Sequence, residues 1–204
     1  GDVYKRQVST LVGYVIGLPM GIILTVSDKD GIKPNAVLYK ILDVIANIVR
    51  SVPFIILLVL LIPFTRLVVG KSYGSTATIV PLVIAAAPYI ARMVESSLKE
   101  VDAGVIEAAR SMGASNFTII TKVMLVEART SLLVGATITL GTILGYSAMS
   151  GAVGGGGLGA IAIRYGYTRW QTDIMIVTVI LLIILFQIFQ TVGMKLADKF
   201  DHRK

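Results

Sequence analysis

The chain has 204 residues, of which 55% are hydrophobic and only 15% charged, with a mean hydropathy of +0.81 and a net charge of +7. A soluble domain carries about 25% charged residues, so this composition excludes an ordinary soluble enzyme and makes the bilayer the solvent. There is no cysteine, and His202, the one histidine, lies in a polar tail; disulfides, thiolate metal sites and histidine chemistry in the core are thereby excluded.

The head, Gly1 to Gln7 (GDVYKRQ), has the basic character of a signal n-region but lacks a clear small-residue cleavage site. It reads as a truncated or misassembled start that lacks part of the first helix. The first apolar run is Val8 to Val26. A helix needs about 20 such residues to cross about 30 Å of hydrocarbon. Gly13, Gly17 and Gly21 recur every four residues and place small residues on one face, where a second helix can approach closely. A polar loop, 27–34, follows.

Ala36 to Val49 is amphipathic, interrupted by Lys40, Asp43 and Asn47, and leads through Arg50-Ser51-Val52-Pro53 into a second apolar run from Phe54 to Phe64. The expected span covers 44–64. Arg50 either snorkels to an interface or serves a water-filled path. A loop is expected over 65–75. Its Gly70-Lys71-Ser72 looks like the end of a phosphate-binding loop, but Thr65 stands where such a loop needs glycine, so it is an ordinary turn.

The third run, Thr76 to Met93, contains Pro81 and Pro88, and Arg92 and Glu95 close it at a spacing that lets them pair. Then comes the one long polar stretch, Ser96 to Thr130. Read as a helix over 97–117, it puts Val101, Val105, Ala109 and Met112 on one apolar face. Gly113 stands at a C′ position, and a second short helix can start after Ser115 or Asn116. On periodicity alone this is either a surface-lying connector or a helix that docks into a partner's groove. The fourth run is Ser131 to Met149. The glycine-rich stretch 151–159 should not hold a stable helix, and a loop carrying Arg164, Tyr165, Tyr167, Arg169 and Trp170 is placed at a membrane interface. The fifth run is Ile174 to Met194.

The fold class is therefore an all-α integral membrane protein of five transmembrane helices, spanning about 8–26, 44–64, 76–95, 131–150 and 174–194 in one domain. With the N-terminus outside, thirteen Lys and Arg fall in inside segments. Four (Arg66, Lys71, Arg164 and Arg169) fall outside, leaving aside Lys5 and Arg6 in the head. That positive-inside bias places the segment 97–129 and the C-terminus in the cytoplasm, and it explains the basic balance without nucleic acid.

Glu107-Ala108-Ala109, with Gly113 four residues after Ala109, resembles the EAA loop of bacterial ABC importer permeases. The stretches 47–58, 86–95 and 145–154 are similar to the methionine branch of that family. The resemblance implies the type I importer permease fold in the bacterial inner membrane, working as a homodimer on two cytoplasmic ABC ATPase subunits. A periplasmic or lipoprotein methionine-binding protein delivers substrate, and membrane lipid surrounds the spans. It implies a coupling helix carrying Glu107, Ala108, Ala109, Arg110, Met112 and Gly113. It also implies a gate at Met149; because a zwitterionic amino acid needs a wet passage, Tyr146, Ser147, Ser150 and Asn47 are candidates for the pathway lining. No catalytic residue, cofactor or metal belongs to this chain; ATP-Mg binds the partner ATPase. The family usually has Leu-Pro after the EAA loop where this chain has Leu125-Val126, so the helix is expected to run on towards the fourth span.

Three rival readings differ in what they require. A self-sufficient secondary transporter often shows inverted repeats and intramembrane carboxylates; no repeat is found, and the acidic residues fall near span ends or in loops. A membrane enzyme needs a histidine or carboxylate cluster within the spans. A permease for another polar amino acid of the same superfamily is separated only by substrate.

Overall fold

The computed structural model describes residues 2–199, and every regular element among them is helical. The first, α1 (Asp2–Ser27), packs along α5 (Ser75–Lys99). The glycine face of α1 makes that contact. A Cβ on Gly17 would lie 2.7 Å from the Ala87 carbonyl oxygen, and one on Gly21 would lie 2.6 Å from that of Ala91. Contacts advance together along both helices, so α1 and α5 run parallel. The mating face of α5 is small in turn, with Ala86, Ala87 and Ala91 all buried. In lipid there is no water to satisfy stray hydroxyls. Thr25, Thr139 and Thr178 accordingly donate to carbonyls one turn back, at 2.8–2.9 Å.

The second span departs from the expected single helix over 44–64. Helix α2 (Ala36–Ser51), N-capped by Asn35, stops before Pro53, and α3 (Phe54–Leu60) leaves at 102° to it. Pro53 has no N–H to donate and forces Val52 into extended backbone (φ −84°, ψ 124°), so the helix cannot pass through. The expected loop over 65–75 is also shorter: α4 (Ile62–Val69) fills its first part and ends at left-handed Gly70.

The polar stretch is two helical pieces rather than one helix over 97–117. Helix α5 ends at Lys99, and α6 (Ala103–Ser111) begins at Asp102, whose carboxylate accepts from the Gly104 N–H at 2.7 Å. After Gly113 the chain re-enters helix behind Ser115. It runs through α7 (Asn116–Thr118), a π-helical segment (Ile119–Met124) and α8 (Leu125–Glu127) into α9 (Arg129–Met149). Only Ala128 interrupts this rod, and the Leu132 N–H still reaches its carbonyl at 2.8 Å. The helix does run on where the family usually has proline.

The glycine-rich stretch is less irregular than expected. A 3-10 turn (Ser150–Val153) follows α9. Then α10 (Gly157–Ile161) and a π-helical segment (Ala162–Tyr167) occupy the expected loop. Gly159 makes this possible by close approach, since a Cβ there would meet the Ala148 carbonyl oxygen at 1.9 Å. Helix α11 (Thr172–Lys199) runs back along α9, with Gly141 against Phe186 and Gly193 against Thr137.

Among the described residues, four helices are long and apolar enough to cross a membrane, or five if the bent α2–α3 pair counts as one span. Connections gather at two ends. At one end Lys99 bonds Asp28 at 2.7 Å and the Arg110 guanidinium donates to the Ile32 carbonyl at 3.1 Å. At the other, the Gly74 N–H donates to the Gly154 carbonyl at 3.1 Å. The core is continuous from the bundle into the first end, linking Ala86, Ile90, Val94 and Leu98 of α5 with Ala109, Ile119 and Met124.

Candidate coupling site and pathway face

At the first end, α6 is held by one side and presents the other. Ala109 is 5% exposed and packs on Ile119 and Met124, with Ile106 and Val101 partly buried beside it. Glu107, Ala108, Arg110, Ser111 and Met112 are exposed. Met112 is 81% exposed and Phe117 75%. Two expectations change here. The stripe of Val101, Val105, Ala109 and Met112 is not one buried face: Val101 precedes α6, Val105 on its first turn is 41% exposed, and Met112 lies beyond its last residue and is exposed. Of the two alanines assigned to the coupling helix, only Ala108 faces out; Ala109 roots the helix.

Gly113 ends α6 in the left-handed conformation, φ 80°. Its N–H donates to the Arg110 carbonyl at 2.9 Å, and the Ala114 N–H donates to the Ala109 carbonyl at 3.1 Å. This pair of bonds is the Schellman motif, which satisfies carbonyls left over at a helix end. The result is a short rigid helix with a sharp exit, displaying a carboxylate, a guanidinium and a thioether. Beside it a cleft of about 680 Å3 lies between the loop after α1 and α6, lined by Asp28, Ile32, Lys99, Ile106, Glu107 and Arg110 among others. The Lys99 ammonium, bonded to Asp28, holds that carboxyl below the usual carboxylate range.

The five pathway candidates do not form one set. Tyr146 stacks on Phe54 across the α3–α9 contact, with centroids 4.6 Å apart and planes at 9°. Met149 ends α9 near the glycine-rich turn and is 50% exposed. Ser147 and Ser150 are 2% and 0% exposed, and the Ser150 hydroxyl donates to the Ser147 carbonyl at 2.6 Å. Neither serine offers a hydroxyl to a passage in this conformation. Asn47 lies apart from all four, on α2, where its side-chain oxygen accepts from Arg92 at 2.9 Å.

That bond belongs to a network the sequence showed only in part. The expected Arg92–Glu95 pair is present at 2.7 Å. Arg92 also bonds the Asp43 carboxylate, while Glu95 accepts from Lys99 at 2.8 Å and from the Tyr39 hydroxyl at 3.2 Å. Lys99 then reaches Asp28. Glu95 lies one turn before the end of α5, and Asp43 lies opposite Arg92 on α2. Both are neutralised by cations, a structural arrangement rather than an open reactive cluster.

Comparison with known proteins settles the lineage. The family of binding-protein-dependent transport system inner membrane components matches residues 17–203. The chain belongs to this family. A probable D-methionine transport system permease protein MetI of Vibrio cholerae is 50% identical over 200 residues, covering 98% of this chain and 89% of the relative. The protein of the same description from Pasteurella multocida is 48% identical, covering 98% and 92%. Among solved structures, a chain of the MetNI methionine ABC transporter in an inward-facing conformation superposes with a TM-score of 0.96 at 49% identity, covering 98% of this chain and 93% of that one. This family member therefore has the all-helical ABC importer permease fold.

Proposed function

We propose that this chain is the permease subunit of an ATP-driven importer that carries methionine across the bacterial inner membrane. The observation that carries the proposal is α6: a capped helix rooted through Ala109, with Glu107, Arg110 and Met112 displayed at one end of the bundle. The reading assigns that face to a cleft in a cytoplasmic ABC ATPase, which holds ATP-Mg and performs hydrolysis. Two copies of the permease sit on two ATPases, and a periplasmic or lipoprotein binding protein delivers substrate to the opposite end. Methionine is favoured over another polar amino acid by the names of relatives about half identical over nearly the whole chain.

In this account the end bearing α6 is cytoplasmic, the N-terminus is outside and the C-terminus inside. The charge distribution supports this, since Lys29, Lys33, Lys99, Arg110 and Lys122 lie at the α6 end while Lys71, Arg164 and Arg169 lie in segments assigned to the other. Met149, exposed at the outer end of α9, meets its symmetry mate to close the pathway; an unbranched, polarizable thioether packs readily against a copy of itself. Tyr146 sets the position of α9 against α3 beneath that gate. Ser147 and Ser150 reach the pathway only in another conformation. ATP binding draws the ATPases together, and the two α6 helices carry the displacement into the bundles, which rock to open outward.

The test is reconstitution. Proteoliposomes holding the permease, its ATPase and its binding protein should accumulate labelled methionine only with ATP. Uptake without ATP, or ATP-driven uptake of another amino acid in preference to methionine, would overturn the reading.

A further inference from the structure

The way α2 is attached to the bundle is unusual for a helix of this hydropathy. Of its sixteen residues only Ala46 is fully buried. Its apolar residues Val37, Ile41, Val44, Ile45 and Ile48 point outward, 44–71% exposed. The face turned to α5 carries Tyr39 and Asp43, one turn apart, on either side of the Arg92–Glu95 pair. The attachment is therefore polar where a bundle contact is ordinarily apolar. Glu95, 5% exposed, sits at its centre and accepts from Arg92, Lys99 and Tyr39.

The same bonds lead to the loop that α6 contacts. Lys99, the last residue of α5, joins Glu95 to Asp28. Asp28 opens the loop whose Ile32 carbonyl accepts from Arg110 on α6. A run of hydrogen-bonded groups, joined to α6 through the 28–32 loop, thus ends on α2 at Asp43 and Asn47, nine and five residues before the extended break at Val52 where that helix turns by 102°.

We infer that Glu95 is a positioning residue for coupling: the Asp28–Lys99–Glu95–Arg92–Asp43 run is a strut that makes α2 follow the displacement of α6. The inference rests on the ATP-driven reading above. Opening a buried ion pair leaves uncompensated charge in a low-dielectric site, which is strongly unfavourable. The Arg92–Glu95 centre of the strut therefore moves as a unit with Asp43, and α2, with only Ala46 fully buried, has few apolar contacts through which to follow by another route. The Tyr39 hydroxyl donates to Glu95 and the Asn47 side-chain oxygen accepts from Arg92, which adds α2 partners to both members of the central pair.

Two variants of the complete transporter test this. Glu95→Gln keeps the side-chain shape and removes the charge. The complex should still assemble and hydrolyse ATP, while methionine moved per ATP falls at least about tenfold, because one partner of a buried pair has been lost. The second variant carries Asp43→Cys and Arg92→Cys, in a chain that has no other cysteine, with cysteine-free partner subunits. Uptake should be lost in it and recovered when a short bismaleimide joins the two positions, since a covalent strut replaces the ionic one. Unchanged uptake per ATP in Glu95→Gln overturns the inference, as does a crosslink that fails to restore transport. Failure of both variants to assemble also overturns it, because the network would then be holding the fold together rather than transmitting movement. If the unmodified complex shows no ATP-dependent uptake, the functional reading fails instead, and that control separates the two.

Discussion

Replacing Gly113 with alanine isolates the backbone cost of the α6 exit. The glycine has φ 80°, and a Cβ built on it meets no atom within 4 Å. There is no clash to relieve, so the penalty is that of holding an L-residue in the left-handed region, about 1–2 kcal/mol. The two exit bonds, from the Gly113 N–H to Arg110 and from the Ala114 N–H to Ala109, exist only in that conformation. If they open locally, the opening equilibrium rises by the same free energy, about 5–30-fold at 25 °C. Hydrogen exchange of the peptide spanning 109–114 should accelerate by that factor in Gly113→Ala, with the exchange of α9 unchanged. Gly113→Asn should cost less, because asparagine visits the left-handed region, and Gly113→Val should cost more. Equal exchange in all four proteins would refute the assignment of rigidity to this turn.

Other consequences follow from named contacts. Gly17→Val and Gly21→Val each force β-branched bulk against a backbone carbonyl of α5, and each should lower stability by about 1–3 kcal/mol, read as a reduced melting temperature in detergent. Asp102→Ala removes the cap at the start of α6 and should cost about 0.5–2 kcal/mol of local stability, measured by exchange of the amides of residues 103–106. The Asp28 carboxyl is held below its ordinary range by Lys99, so its stabilising contribution is complete above the ordinary carboxylate value and is lost as pH falls through the lower folded-state value. The melting difference between the natural protein and Asp28→Asn should therefore be largest at neutral pH and vanish in acid; a difference independent of pH contradicts the pairing.

Local and periodic features were the legible part of this molecule. Apolar run length marks the spans because every backbone group in lipid must bond within its own helix. The four-residue glycine repeat of α1 identifies its packing face, and Gly113 identifies a helix exit, because each depends only on its own backbone or its own helix. The break at Pro53 was visible as a residue yet missed as a bend, since apolar sequence continues on both sides and hydropathy is blind to direction. Helix α10 was missed because glycine propensity argues against it, whereas contact of Gly159 with the Ala148 carbonyl decides in favour. Polarity alone puts Asn47 with the pathway; besides Asp43 one turn away it bonds Arg92, 45 residues off, and no spacing rule reaches that far. The same holds for Asp28 and Lys99. Ser150 shows the converse limit, for its hydroxyl satisfies itself on the Ser147 carbonyl, and polarity in the sequence does not reveal that.

The central claim is that α6 is reached from the cytoplasm by a separate motor, and a single cysteine tests it. Met112→Cys, 81% exposed at that position, would be the sole thiol of the chain. In inside-out vesicles made with cysteine-free ATPase, a membrane-impermeant maleimide should label it, and bound ATPase should block that labelling. Labelling in right-side-out vesicles instead, or labelling that is indifferent to the ATPase, would contradict the account.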